Sequence, residues 1–316
     1  MREAGAVIVT YNSGAEIGPC LDAAIPRAGE VVVVDNGSTD NTLEEVRKRP
    51  SVKLIVNSQN RGFAGAVNQG FAATESPYVL LLNPDAVLLT DVEPMAAACA
   101  RPGIGAAGGK LLEAGGRAQH GFMVRRFPTT LTLILEVLGV NRLWKRNPVN
   151  RRYRCLDMNP DAAAEAEQPA GAFLMIRRDA WQAAGGFDEQ FHPLWFEDVD
   201  FLKRLRDKGL QAAYEPAAAA RHEGGHSIQR LSQESRILCW YASLLRYSSK
   251  HFTPSRFAAV CVATALGSVL RMIGESALSR NLRPLRVYSK VVRLACVRLM
   301  LCRFAGADSS PVLARH

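Results

Sequence analysis

Short, nearly continuous apolar runs alternate along the first hundred residues with segments of helical spacing. AGAVIVTYN (4–12), EVVVVDNGSTD (30–40), VKLIVNS (52–58) and YVLLLNPDAVL (78–88) read as buried strands rich in β-branched residues. Between them, residues 14–25, NTLEEVRKR (41–49) and GAVNQGFAAT (65–74) carry helical patterns, and Ser38, Thr39 or Asp40 supplies a helix cap. Strands alternating with helices predict βαβ units and a mostly parallel, Rossmann-like sheet with flanking helices. Open sheets of this kind bind ligands beyond the carboxyl ends of their strands. Thr10, Tyr11 and Asn12, Asp35 and Asn36, and Asn83 and Asp85 are therefore expected on one rim.

The middle of the chain is less regular. RFPTTLTLILEVLGVNRLWKRNPVNRRYR (126–154) joins an apolar stretch to a basic loop rich in Pro and Asn. AGAFLMIRRDAWQAAGGFDEQF (170–191) reads as a strand, a short helix from Arg178 and a Gly-Gly turn. DVDFLKRLRDKGL (198–210) is an amphipathic helix stopped at Gly209. Past about residue 230 the chain turns helical. The expected domains are 1–230, in two halves over about 1–110 and 111–230, and a helical basic region over 231–316.

Phe257–Leu270 has no charge, but 14 residues fall short of the roughly 20 that a spanning helix needs. A buried or interfacial helix is the expectation. Further on, Arg286, Lys290 and Arg293 share one helical face, and Val287, Val291 and Leu294 share another. Both a helix lying on a membrane surface and a packed helix with a solvated basic side have this pattern.

Charge sharpens that picture. Of 39 basic residues, 12 lie in 245–316 with only two of the 30 acids, so this segment carries +10 and the rest −1. Such asymmetry points to an anionic surface partner. The segment lacks the interleaved aromatic residues of a base-stacking surface, which argues against nucleic acid. Seven scattered cysteines without a C-x-x-C pair make zinc and a disulfide framework poor readings and suit a reducing cytoplasm. No basic segment and cleavage site precede the first strand, so no signal peptide is expected.

Two groups of acids suggest chemistry. In NPDA (83–86) a carboxylate ends an apolar strand. It suits a hard divalent cation, because Mg²⁺ is usually held by one or two carboxylates together with substrate phosphates. Asn-Pro-Asp is also a good turn. In HPLWFEDVDFLKRL (192–205), Glu197, Asp198 and Asp200 sit among aromatic residues. They are either the acidic first turn of a helix, stabilised by its dipole, or they include a proton acceptor. Asp200 is expected to cap the helix or to pair with a nearby Lys or Arg.

In combination, VIVTYNSG (7–14), VVVVDNGSTDNT (31–42), NRGFAGAVNQG (60–70), LLLNPDA (80–86), GAFLMIRRDAWQAAGGFDEQFHPLWFEDVDF (171–201) and HEGGHS (222–227) resemble the inverting glycosyltransferases of family 2. Their order and spacing match over roughly 5–230, and the likeness is greatest to the rhamnosyltransferase-like branch. There the family's Asp-x-Asp commonly reads Asn-x-Asp, as at Asn83–Asp85. The resemblance implies the GT-A fold, with the nucleotide half over about 1–110 and the acceptor half over about 111–230, and assigns roles. Thr10, Tyr11 and Asp35 hold the nucleotide base; Asn60, Gly62 and Phe63 open a loop close to the donor; Asn83 faces ribose or metal water. Asp85 and His222 bind Mg²⁺ or Mn²⁺, with His226 a weaker candidate. Asp198 is the base, and Glu197 orients the acceptor or stands in reserve. Trp195, Gly186 and Phe187 shape the acceptor side.

The implied activity is metal-dependent hexosyl transfer with inversion, from dTDP-L-rhamnose or another dTDP- or UDP-sugar, to a glycan or lipid-linked glycan in cell-envelope polysaccharide synthesis. The implied setting is the cytoplasm, peripheral to the inner face of the membrane, and the C-terminal helices offer a homodimer seam. The alternative is a non-catalytic nucleotide-sugar-binding or scaffold protein on the same fold, which would bind donor and transfer nothing.

Overall fold

The computed structural model describes residues 3–224, 231–279 and 281–305, with the side chains of 279 and 302–305 left aside. The chain divides into two compact units, one of residues 1–127 and 151–232, the other of 128–150 and 233–316. Residues 128–150, expected with the acceptor half, thus cluster with the C-terminal helices.

The first unit is built on a nine-stranded sheet. β1 (Ala4–Thr10), α1 (Ile17–Ala24), β2 (Glu30–Asp35), α2 (Thr42–Arg47), β3 (Lys53–Val56), α3 (Gly62–Ala73) and β4 (Tyr78–Leu82) follow one another as expected. β5 (Ala86–Leu88), α4 (Glu93–Ala100) and β6 (Ile104–Leu112) come next. The strand order is β3-β2-β1-β4-β10-β6-β11-β5, where β10 is Phe173–Arg177 and β11 is Gln211–His222, and β8 (Ala164–Ala166) pairs with β11. β3, β2, β1 and β4 are parallel, which is the half the apolar runs predict. Beyond β4 the sheet is mixed, because β10 runs antiparallel to both β4 and β6. A small ribbon joins β7 (Val124–Arg125) to β9 (Gln168–Pro169).

Alternating side chains feed two cores, one on each face of the sheet. Ala6, Ile8, Val33, Leu80 and Leu82 pack with Ile17, Cys20 and Leu21 of α1. Val7, Val9, Val34, Val79 and Leu81 pack with Val67 and Phe71 of α3, and with Trp181 of α8 (Arg178–Ala184) and Phe201 of α9 (Glu197–Asp207). β1 and β4 are neighbours although α1 to α3 intervene, so the chain reverses direction across the sheet at this point. That switch point lies at the carboxyl ends of β1, β2 and β4.

The second unit contains α5 (Thr130–Val137), α6 (Val140–Leu143), α10 (Gln233–His251), α11 (Pro254–Ser279) and α12 (Arg283–Ala305); α7 (Pro148–Tyr153) lies where the chain passes back to the first unit. α11 is much longer than its uncharged core. By length and composition its Pro254–Leu278 stretch is long and apolar enough to cross a bilayer, more than the 14 uncharged residues indicate. Its inward face mixes apolar Phe257, Val260 and Cys261 with Thr264 and Ser268, all buried, and a Cβ on Gly267 would overlap the Val137 carbonyl. Arg271 points the same way, donating to the carbonyls of Val137 and Glu136 and to the Tyr241 hydroxyl. Val262, Leu266, Val269, Leu270 and Ile273 are exposed along the opposite stripe. In α12, Val287 and Val291 are buried, and Arg286, Lys290 and Arg293 are exposed.

Candidate active site

Thr10 and Asp35 end adjacent parallel strands as register partners, and both are fully buried. Oδ2 of Asp35 accepts the N–H groups of Gly37 (3.2 Å) and Ser38 (3.0 Å). Its Oδ1 and the Thr10 hydroxyl have no hydrogen-bond partner. Buried polar atoms are nearly always paired, so two orphans side by side mark a place for a polar ligand. Half-buried Tyr11 follows at the strand end. Asn12, at φ 52°, ties the two turns together: its N–H donates to Ser38 Oγ (2.7 Å) and its Oδ1 accepts the Thr39 N–H (2.6 Å).

Asn36 organises the neighbouring loop. Its Nδ2 donates to Asn60 Oδ1 (3.0 Å) and the Gly62 carbonyl (3.1 Å), and its Oδ1 accepts from Asn57 Nδ2 (3.2 Å) and the Arg61 N–H (3.0 Å). Gly62 adopts φ +79°, and a Cβ there would lie 2.8 Å from the His192 ring. The N–H of half-buried Phe63 donates to the Pro193 carbonyl (2.8 Å). The glycine is thus required by the approach of the 192–196 loop, a constraint within the protein itself.

The Asn83 N–H donates to the Ala172 carbonyl (3.0 Å), and the Cys20 thiol donates to the Asn83 carbonyl (3.5 Å). Burial first, and the charge of Asp85 second, push that thiol far above the ordinary cysteine range. β11 pairs with β5 so that His222 lies opposite Ala86, next to Asp85. His222 Nε2 stands 3.4 Å from Asp85 Oδ1, with both side chains nearly buried. This nitrogen has no hydrogen-bond partner. An orphaned imidazole nitrogen facing a carboxylate oxygen fits a divalent cation. Among the described residues no three His, Cys, Asp or Glu side chains cluster as a metal site, so such a cation would take further ligands from a diphosphate and water. His226 lies outside the described residues.

Trp195 (φ 79°) and Phe196 (φ 70°) are both left-handed and immediately precede α9. Each non-glycine residue held there costs about 1–3 kcal/mol, an expense that clusters at functional sites. The turn opens α9 with Glu197 and Asp198. Asp198 Oδ2 accepts the Gly171 N–H (3.0 Å), and Oδ1 accepts the Val199 N–H (2.8 Å). Burial raises its pKa above the ordinary aspartate value; those two N–H groups and the Arg125 guanidinium pull it back. Glu197 is buried with Oε2 unpaired, and burial together with the charge of Asp198 raises its pKa well above the usual range. Each anion is stabilised by its own backbone N–H, and Asp198 in addition by the Gly171 and Val199 N–H groups and by Arg125.

Two contacts connect the acids. The antiparallel β10 starts where β4 ends, so Ala172 meets Asn83 while its neighbour Gly171 meets Asp198. Asp85 and Asp198 are joined through this short path on one rim.

A family model for glycosyl transferase family 2 matches residues 6–161. The N-acetylglucosaminyl-diphospho-decaprenol L-rhamnosyltransferase of Mycobacterium tuberculosis is 30% identical over 246 residues, covering 71% of this chain and 77% of the relative. The chain belongs to glycosyltransferase family 2. Rhamnosyltransferase WbbL of Escherichia coli K12 is 24% identical over 58% of this chain and 66% of its own. Among solved structures, Staphylococcus aureus TarS 1–349 with UDP-GlcNAc superposes with a TM-score of 0.56 at 15% identity, covering 95% of this chain and 82% of that one. Mannosyltransferase PcManGT from Pyrobaculum calidifontis, with GDP-Man and Mn²⁺, gives 0.51 at 16% identity over 98% and 89%. The fold is GT-A, and the protein is a glycosyltransferase of the rhamnosyltransferase-like branch.

Within this family 2 enzyme some assigned residues serve the scaffold. Phe187 is buried against Phe63, Trp181 and Phe201. Gly186, at φ +69°, presents only backbone: its carbonyl accepts from Arg204 (2.7 Å), whose Nε also donates to the buried Asp200 (2.8 Å). Asp200 therefore holds the Gly-Gly turn through Arg204. Of the three assigned acceptor residues only Trp195 lies half-buried in the loop before α9.

The sequence reading missed Gln119, which hydrogen-bonds His222, and Arg125, whose guanidinium lies over the Phe122 ring (5.8 Å) and the Tyr153 ring (5.9 Å). Both follow β6 in a stretch without a recognisable motif.

Proposed function

We propose that this glycosyltransferase moves L-rhamnose from dTDP-L-rhamnose, or a sugar from another pyrimidine nucleotide, to a polyprenyl-diphosphate-linked glycan, with inversion and a divalent cation. The observation that carries the reading is a set of buried atoms without hydrogen-bond partners: Thr10 Oγ1 and Asp35 Oδ1 at the ends of the adjacent β1 and β2, and His222 Nε2 at the end of β11 beside Asp85. Asp35 Oδ1 suits the imide N–H of thymine or uracil. Asp85 and His222 would hold Mg²⁺ or Mn²⁺, and Asn83 would face ribose or metal-bound water. When bound, the cation offsets the charge that develops on the departing diphosphate. The choice of rhamnose and of a lipid-linked acceptor follows the name of the mycobacterial relative.

Asp198 takes the proton of the incoming hydroxyl. Its oxygens are fixed by two backbone N–H groups, and its raised pKa moves it towards the operating pH, where a general base works best. Glu197, more strongly held in its protonated form, orients the acceptor. One carboxylate base without a covalent intermediate gives displacement from the opposite face of the sugar.

A thermal-shift screen of nucleotide sugars with and without Mn²⁺ tests the donor. A ligand at one hundred times its Kd adds about 2.7 kcal/mol of apparent stability. dTDP-L-rhamnose with Mn²⁺ is expected to stabilise most; equal stabilisation by purine nucleotide sugars would contradict the role given to Asp35.

The second unit suits a peripheral place on the cytoplasmic face of the membrane. α11 exposes Val262, Leu266, Val269, Leu270 and Ile273, α12 exposes Arg286, Lys290 and Arg293, and both features fit an anionic bilayer. The full chain is expected to float with phosphatidylglycerol vesicles at low salt and to bind phosphatidylcholine vesicles less. Absence from both fractions would remove this placement.

A further inference from the structure

Resting on the reading of Asp85 and His222 as cation ligands, we infer that Gln119 is a positioning residue that sets the His222 tautomer, so that Nε2 offers its lone pair to the cation beside Asp85. Gln119 Nε2 lies 2.6 Å from the His222 carbonyl oxygen, and the Gln119 Oε1 and His222 Nδ1 atoms are 3.2 Å apart. A carbonyl oxygen only accepts, so the amide NH₂ must point at it, and this settles which end of the Gln119 amide is which. Its oxygen then faces Nδ1 and accepts, which requires the proton on Nδ1. In the neutral ring Nε2 is left bare, and this is the atom without a hydrogen-bond partner, 3.4 Å from Asp85 Oδ1.

Two features hold Gln119 there. Its N–H donates to the Leu111 carbonyl (2.9 Å) at the end of β6, the strand that pairs with β11. Its own carbonyl accepts the N–H groups of Phe122 and Met123 (both 3.1 Å), folding a turn that lays the Phe122 ring on the imidazole. The two rings stack at 5.3 Å and 12°. Phe122 thereby fixes the plane of the imidazole, and Gln119 fixes its rotation within that plane. Outer partners of this kind typically contribute 10–100-fold to metal affinity.

The test uses the full chain. Nitrogen-15 NMR on the metal-free wild type reads the tautomer directly and is expected to show the His222 proton on Nδ1; a proton on Nε2 overturns the inference without any variant. Gln119→Met keeps the volume and removes both hydrogen bonds. It should shift His222 towards the Nε2-protonated tautomer and weaken Mn²⁺ binding, measured by electron paramagnetic resonance with UDP present, by 10–100-fold. A Gln119→Met protein with the wild-type tautomer and affinity would also overturn it. If the wild type carries the Nδ1 proton yet binds no Mn²⁺, the cation reading fails and not the tautomer assignment.

Discussion

Replacing Asp198 by Asn is expected to lower kcat by about 10²–10⁴-fold, the usual contribution of a positioned general base, with little change in the donor Kd. Asparagine keeps the shape of the side chain and one oxygen to accept a backbone N–H, so α9 should still begin at the same turn. What it removes is proton affinity. The wild-type pH profile carries the same signature. Only the ionised carboxylate accepts a proton, and burial raises the Asp198 pKa above the ordinary aspartate value. Activity is therefore lost as pH falls through that raised value, and the acid limb of kcat should lie above the range of a solvent-exposed aspartate. Steady-state kinetics from pH 4 to 8 check both points. A variant that turns over like wild type, or an acid limb in the exposed-aspartate range, would take the base role from Asp198.

Asp85→Ala is expected to lower kcat by about 10²–10³-fold, the typical loss when one stabiliser of developing negative charge is removed. It should also raise the Mn²⁺ concentration needed for half-maximal rate, which Asp198→Asn should leave unchanged. The contrast follows from position: Asp85 faces His222 Nε2 at 3.4 Å, while Asp198 is fixed by Gly171 on the other side of the Asn83–Ala172 contact. Equal Mn²⁺ dependence in Asp85→Ala and wild type would remove the carboxylate from the cation site.

The parts of this fold that depend on local pattern were legible from sequence. The first three apolar runs became β1 to β3 and the start of the fourth became β4, all in parallel register, while the end of the fourth run forms the separate β5; Thr10 and Asp35 end such strands and Asn83 and Asp85 follow one. The antiparallel insertion of β10 was not legible, since nothing in FLMIR indicates its direction, yet it brings Gly171 to Asp198. Phe187 and Gly186 looked like site residues because they lie in a family motif, and three-dimensional packing puts one in an aromatic cluster and makes the other a backbone turn. Gln119 and Arg125 had no signal at all. Their roles arise from contacts with His222 and the Phe122 and Tyr153 rings that are set by the β6–β11 pairing and the turn after β6. In α11, the charge at Arg271 truncated the apparent apolar segment, although that charge is satisfied inside its unit by the carbonyls of α5.

A crystal structure of the full chain with dTDP and Mn²⁺ is the most direct test of the arrangement at the rim. The expected result is thymine hydrogen-bonded to Asp35 Oδ1, the ion held by Asp85 and His222 Nε2 against the diphosphate, and the Asp198 carboxylate facing the space beyond the terminal phosphate. An ion bound away from Asp85, or Asp198 shielded from that space, would contradict it.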